Sequence, residues 1–531
     1  MKPQNYINEM TFRTSLSLFL IALIFAIGVA SFQSSPGYMD ADYYFSTGLQ
    51  LAEGKGFTEP FLWNYLDEPD GIPHPSHAYW MPLASLVTAL GLRLAPGFEF
   101  ASAQWIFILL SAFIPPLTAS LAFSLTCRRD LALIAAFLAL FSGYYANFLT
   151  TTDTFTLYML LGGSFLLALK IKPVWLRSIA LGLLAALLHL SRADGAIWLV
   201  IAVGFTLSSQ RAERRRNFSS SLIHLFTLFA SYLSLILPWF LRNLAAFGAI
   251  LAPGGDKMLW LTRYDQIFTY PADTLTLGAW LASGWPAILD ARLWALKLNL
   301  GTILGVQSGI LLLPFILLGI WHLRKNHLVR VGLFAWGITF FVMTLIFPFA
   351  GARGSFFHSG AALQPLWWAL APLGLEQAIR WMARQRKWRE RDALRVFQGG
   401  LIAMSFLITA SLLLGRLISP GAEQVLSGDA TRYASIEEII ATQGDTDSAI
   451  IVSNPPGYFL ASGRPALALP DGNIQTIFEI SERYGARYLV LEPNAVTAGL
   501  MSIFNMPSAQ ENLTFIAEVE GAQIFAIETQ P

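Results

Sequence analysis

Two aspartates two residues apart stand in the stretch Tyr38-Met39-Asp40-Ala41-Asp42-Tyr43-Tyr44. At a helix start, such carboxylates can share a divalent cation, or one can take a proton from an attacking hydroxyl while the other positions a ligand. The plain alternative is a polar helix cap, a role Asp commonly fills. Downstream, Gly71-Ile72-Pro73-His74-Pro75-Ser76-His77-Ala78-Tyr79-Trp80-Met81-Pro82-Leu83 carries two histidines with H-x-x-H spacing. On a helix that spacing suits one metal, but Pro73 and Pro75 oppose a regular helix. A structural or substrate-contacting role is therefore expected for His74 and His77, and substrate contact for Tyr79. Catalysis with a divalent metal and catalysis without one are equally compatible with these residues.

Further candidates lie far along the chain. Asp153 follows Thr150-Thr151-Thr152, and Arg192 and Asp194 occur in Ser191-Arg192-Ala193-Asp194-Gly195. The last two can pair with each other at a helix end or contact a substrate. Arg242 and Asn243 close Pro238-Trp239-Phe240-Leu241-Arg242-Asn243, where an arginine can snorkel toward headgroups or grip phosphate oxygens in a bidentate manner. Arg353 and His358 occupy Gly351-Ala352-Arg353-Gly354-Ser355-Phe356-Phe357-His358, in which glycine would let a phosphate approach the backbone. The bland reading there is a solvated tight turn.

The elements that must position these residues are membrane spans. Of 531 residues, 55% are hydrophobic and 13% charged, against about 25% charged in a soluble domain. Apolar runs recur from Phe19 to Leu414, each near the roughly 20 residues that cross a bilayer. A net charge of +1 lacks the basic footprint of nucleic-acid binding. Cys127, the single cysteine, excludes an intrachain disulfide and a thiolate metal cluster. The apolar segment from Ser15 to Ser31 reads as a retained first helix, because many spans follow it. Basic loops at Arg128-Arg129, Lys170 to Arg177, Arg211 to Arg216, Arg324 to Arg330 and Arg380 to Arg395 mark the cytoplasmic side.

Eleven spans result, making a mainly α, multi-pass protein with a cytoplasmic N-terminus. Residues 32–100, 150–153, 192–195, 242–300 and 351–360 then fall on the extracytoplasmic side, with the C-terminal tail. Trp80 to Ala95 is expected to be short or re-entrant. A helix capped by Asp40 and running to about Glu53 is expected along the membrane surface, where its aromatic rings are favoured. The transmembrane domain spans residues 1–417. Residues 418–531 read as a small extracytoplasmic α/β domain, with strands at Ser448 to Ser453 and Ala486 to Leu491 and an amphipathic helix over Ile474 to Tyr484.

In order and on one face, these motifs resemble the glycosyltransferases of the C-type membrane fold, especially the protein mannosyltransferase and aminoarabinose transferase group. Asp40 and Asp42 match the group's acidic motif after the first helix. His77 and Pro82-Leu83 match its loop end, Asp153 its second acidic residue, and the Arg192 and Arg242 segments its Arg-x-Asp-Gly and Pro-Trp-x-x-Arg-Asn segments. Trp80-Met81 stands where the group often has a basic residue and a second proline. The resemblance implies a plasma-membrane enzyme that moves a sugar from a polyprenyl-phosphate donor to an extracytoplasmic lipid, glycan or protein, with inversion and with an Asp as general base. Two other readings remain: a polysaccharide ligase or polymerase resting on Arg353 and His358, and a transporter. The transporter would need paired interrupted helices, and Pro115-Pro116 has no clear counterpart.

Overall fold

The computed structural model describes residues 11–95, 97–212, 218–415, 428–445, 447–507 and 512–528. Most of the basic stretch 211–216, and the boundary expected at 417/418, lie outside those residues. Among them, six helices are long and apolar enough to cross a membrane: Phe12–Ala30 (α1), Phe100–Thr126, Val174–Ser191, Ser221–Phe247, His327–Ile346 and Glu390–Leu413. Leu222, Phe226, Leu233 and Leu241 point outward from the fourth of these, an apolar face of the kind that lipid covers. Other expected spans are shorter or broken. The helix at Arg129–Leu140 has 12 residues, and Leu83–Leu94 (α3), also 12 residues, is too short to span at about 1.5 Å per residue.

Breaks follow local chemistry. The 100–126 segment bends between Ser111 and Ile114, just before Pro115-Pro116, whose missing N–H groups interrupt the hydrogen-bond ladder. The stretch expected as a single span over 301–322 is divided. A 19-residue helix, Gly284–Thr302, runs into one wide turn at Ile303–Gln307, and Leu313–His322 resumes beyond Gly309 and Ile310, both at positive φ. The second loop expected over 242–300 therefore contains a long helix.

Small residues let helices touch. An ideal Cβ on Gly374 would lie 1.8 Å from the Phe315 carbonyl oxygen, and one on Gly182 2.3 Å from that of Leu228. Gly374→Ala is expected to force Gln364–Arg386 away from Leu313–His322 and cost about 1–3 kcal/mol, read as a lower melting temperature in detergent. Basic residues share one end of the bundle. Arg128 and Arg380 both bond the buried Glu376 at 2.5 Å, and Lys170 donates to the Ser124 carbonyl.

The first loop is the least expected part. Helix Met39–Ala52 (α2) is buried against protein on most of its surface. Tyr43, Tyr44 and Phe45 are all buried, and α2 packs between α3 and the helix Pro455–Ser462. Its rings are held by neighbours from the same loop, including Trp80, which lies 4.5 Å from Tyr43 and stacks on Trp63 at 4.1 Å. Beyond α2 come three two-residue strands, Thr58–Glu59 (β1), Phe61–Leu62 (β2) and His74–Pro75 (β3), with β1 and β3 antiparallel.

The C-terminal layer is an α/β sheet. Ala449–Val452 (β4), Ala466–Ala468 (β5), Ala486–Leu491 (β6), Leu513–Val519 (β7) and Ala522–Ile527 (β8) join β2 in the order β2-β5-β4-β6-β8-β7. β4, β6 and the helix Ile474–Tyr484 coincide with the expected elements. The edge strand β2 comes from the first loop and pairs in parallel with β5, Phe61 opposite Ala466. Tyr65 Oη donates to the Ala468 carbonyl at 2.5 Å, and Arg483 and Tyr484 reach the Pro69 carbonyl.

Candidate functional site

Tyr38, not Asp40, is the N-cap of α2, so both aspartates sit inside its first turn. Free N–H groups and the helix dipole favour negative charge there. Successive residues turn by about 100°, so side chains two apart leave a helix on nearly opposite sides. Asp40 and Asp42 accordingly part company.

Asp40 faces two residues from distant turns. His358 Nε2 lies 3.6 Å from Asp40 Oδ2 and 3.2 Å from Asp153 Oδ2. Asp153 caps the helix Thr154–Ala168 and also accepts from Tyr38 Oη at 2.5 Å. His358 Nδ1 is 3.0 Å from the Gly354 carbonyl, which can only accept, so Nδ1 carries a proton and Nε2 is left for the carboxylates. The imidazole stacks on Phe155 with centroids 4.0 Å apart. One ligand atom from each of Asp40, Asp153 and His358 lies within 4.8 Å of the others, the single such acid and histidine group among the described residues.

Burial pushes the Asp40 carboxyl up to about 6, with His358 pulling it down and Asp153 pushing it further up. Burial also acts upward on Asp153, but His358, as charge and as hydrogen-bond partner, and Tyr38 more than offset it and hold that carboxyl below its usual range. Asp42 points toward Asn454, whose Nδ2 donates to Oδ2 at 2.9 Å. Burial carries Asp42 up to about 7, against the pull of that hydrogen bond.

A cavity of about 270 Å³ adjoins the group, and Tyr44, Tyr79, Trp80, Arg192, Asp194 and Ser355 are among its lining. Arg192 Nε donates to Asp194 Oδ1 at 2.9 Å, and Tyr158 Oη reaches Asp194 Oδ2 at 3.2 Å. Arg192 is near enough to lower the Asp40 carboxyl. Arg353 is exposed, with its guanidinium over the Tyr264 ring at 4.5 Å. It sits in a kinked wide turn where Gly354 adopts φ +125°, a conformation that suits glycine. Tyr79, Arg192 and Asp194 thus line the cavity, Asp40, Asp153 and His358 form a separate group near Arg192, and Arg353 stands over Tyr264 in the turn before His358.

Besides Asp42, four candidates are placed elsewhere. Arg242 lies among Trp239, Phe247 and Phe57, 4.9–5.4 Å from their centroids, and donates to the Phe57 carbonyl at 3.1 Å. Asn243 donates to the Ile250 carbonyl at 3.2 Å. Arg242 thus braces the first loop, while Asn243 ties down the start of the second and accepts from Arg242. His77, at φ +66°, bonds Ser76 and Ser85 through its two ring nitrogens, and burial followed by the Arg242 charge keeps its pKa well below the usual range.

His74 sits between Asp67, 3.1 Å from Nε2, and Glu59, 3.7 Å from Nδ1. Burial acts downward on it, but these carboxylates win and raise it to about 9. The two histidines therefore do not share a metal geometry. Because the folded pKa of His74 exceeds its unfolded value, its stabilisation is full below about pH 6.5 and lost as pH rises through about 9. The melting advantage of the native protein over His74→Gln is expected to shrink across that window.

Sequence reasoning missed Tyr38 and Asn454. The Asn454-Pro455-Pro456-Gly457 run is a turn signal, but nothing in it pointed to Asp42.

The whole chain has the architecture of the C-type membrane glycosyltransferase fold, as its likeness to solved structures shows. Two solved structures share it. AglB, the oligosaccharyltransferase of Archaeoglobus fulgidus in complex with an inhibitory peptide and a dolichol-phosphate, is 12% identical over 90% of this chain and 69% of that one, with a TM-score of 0.56. ArnT from Cupriavidus metallidurans, bound to undecaprenyl phosphate, is 12% identical over 97% of this chain and 98% of that one, with a TM-score of 0.53. No protein-family model and no curated protein matches the sequence. Likeness at this identity is likeness of fold, and the apolar helices with that fold make the chain a multi-pass membrane protein.

Proposed function

We propose that the chain is a membrane glycosyltransferase that moves a sugar from a polyprenyl-phosphate donor to a hydroxyl or amine of an extracytoplasmic acceptor. The observation that carries the reading is the convergence of Asp40, Asp153 and His358, from turns far apart in sequence, beside an arginine-bearing cavity. The bound lipids in the two related structures support a polyprenyl-phosphate carrier. Residues 1–417 form the transferase domain and residues 418–531 an extracytoplasmic domain, with the N-terminus cytoplasmic and the chain in the plasma membrane.

The isoprenoid tail stays in lipid while the sugar phosphate enters the cavity. Asp40 takes the proton of the acceptor as its oxygen or nitrogen attacks the anomeric carbon. The bond from that carbon to the phosphate oxygen breaks, and its electron pair leaves with the polyprenyl phosphate. Arg192 and Arg353 offset the charge growing on that oxygen. Asp153 and His358 hold Asp40 in place. The donor set of two carboxylates and one imidazole nitrogen fits a divalent cation. Asp40, Asp153 and His358 would hold it, and it would supply further positive charge opposite the phosphate.

Purified protein supplied with a labelled polyprenyl-phosphate sugar and cell-envelope acceptors is the direct test, and absence of transfer refutes the reading. A base must be ionised to act. Transfer is therefore expected to fall as pH drops through about 6, the value burial gives Asp40. A rate that stays level well below that pH removes Asp40 from the role.

A further inference from the structure

The side of α2 away from the acid and histidine group faces the C-terminal layer. There Asn454 caps the helix Pro455–Ser462, its Oδ1 accepting the Gly457 N–H at 3.1 Å. That bond fixes the amide orientation, so Nδ2 is the atom turned to Asp42, which it meets at 2.9 Å. An ideal Cβ on Gly457 would lie 2.9 Å from the same carboxylate oxygen, so the first turn of that helix is seated on Asp42 with no room for a side chain. Both partners are more than nine-tenths buried, Asp42 at 7% exposure and Asn454 at 6%.

We propose that Asn454 is a positioning residue for sugar transfer. It holds Asp42, Asp42 holds the first turn of α2, and that turn carries Asp40 against Asp153 and His358. The inference rests on the reading of Asp40 as the base. The C-terminal layer thereby becomes a working part of the catalytic site rather than a cover. A displacement of about 1 Å at a reacting group can cost about a hundredfold in rate, so a small tilt of α2 is enough.

Substitutions in the full-length protein, assayed with a polyprenyl-phosphate sugar, separate holding from chemistry. Asn454→Ala is expected to lower kcat about tenfold to a hundredfold, with KM for the donor little changed. Asn454→Asp sets two carboxylates face to face. It should be impaired at least as much as Asn454→Ala, because two acceptors then meet where a donor met an acceptor. Asp42→Asn keeps an acceptor oxygen for the Asn454 amide and should lose far less than Asp40→Asn.

The double variant Asp42→Asn/Asn454→Asp exchanges donor and acceptor and is expected to regain most of what Asn454→Asp loses. The proposal is overturned if the folded double variant regains nothing, if Asp42→Asn is as damaged as Asp40→Asn, or if Asn454→Ala turns over normally. If the native protein transfers no sugar, the functional reading fails by itself. Amide hydrogen exchange across residues 39–52 still reads the seat in that case. Faster exchange in Asn454→Ala supports it, and unchanged exchange overturns it.

Discussion

Asp40→Asn is expected to lower sugar transfer by about a hundredfold to ten-thousandfold, with binding of the polyprenyl-phosphate donor little affected. The amide has the shape and volume of the carboxylate, so α2 and its contacts remain. It cannot accept a proton from the attacking acceptor, and it removes one of two negative charges facing His358 Nε2. Burial has already brought Asp40 near the pH at which proton transfer is most effective, a setting common among catalytic carboxyls. The comparison is kcat of folded, monodisperse Asp40→Asn against the native protein at neutral pH. A rate within a few-fold of native removes the proposed base.

Arg353→Ala is expected to lower transfer by about a hundredfold to a thousandfold, less than Asp40→Asn at its upper range. The guanidinium lies exposed over Tyr264 at the kinked turn, free to reach a phosphate oxygen without breaking a buried ion pair. Its planar fork matches phosphate geometry, so Arg353→Lys should recover only part of the rate. The relative size of the two losses decides between mechanisms. A ligase acting on a diphosphate-linked donor needs no strong base and leans on the late-turn cation. Severe damage from Arg353→Ala with mild damage from Asp40→Asn would favour that reading.

The helical architecture and the turns that bring Asp153, Arg192 and His358 near one another were legible because they rest on long-period signals. Apolar runs show themselves by length, and Asp153, Arg192-Asp194 and Arg353-His358 each sit at a turn between two such runs, where charge placement puts them on one side. The divergence of Asp40 and Asp42 was readable in principle, since the helical period separates residues two apart.

Other features left no local trace. β2 is two residues long and has no period to detect, and its partner β5 lies some 400 residues away. Arg242 reads as a phosphate ligand until Phe57, Trp239 and Phe247 are brought around it from separate stretches. The aromatic density of α2 suggested a membrane boundary. Its rings meet those of residues 61–80 and the C-terminal layer, partners that no local pattern announces.

The strand β2 imposes an order on assembly. Phe61–Leu62 leaves the ribosome long before β5 exists, so its open edge must wait while the remaining helices are inserted. A nascent chain stalled or truncated before Ala466 holds every residue of the acid and histidine group yet lacks the last partner of the loop that orients it. Under the proposed function, competence for turnover arrives only after β5 has been made, late in synthesis.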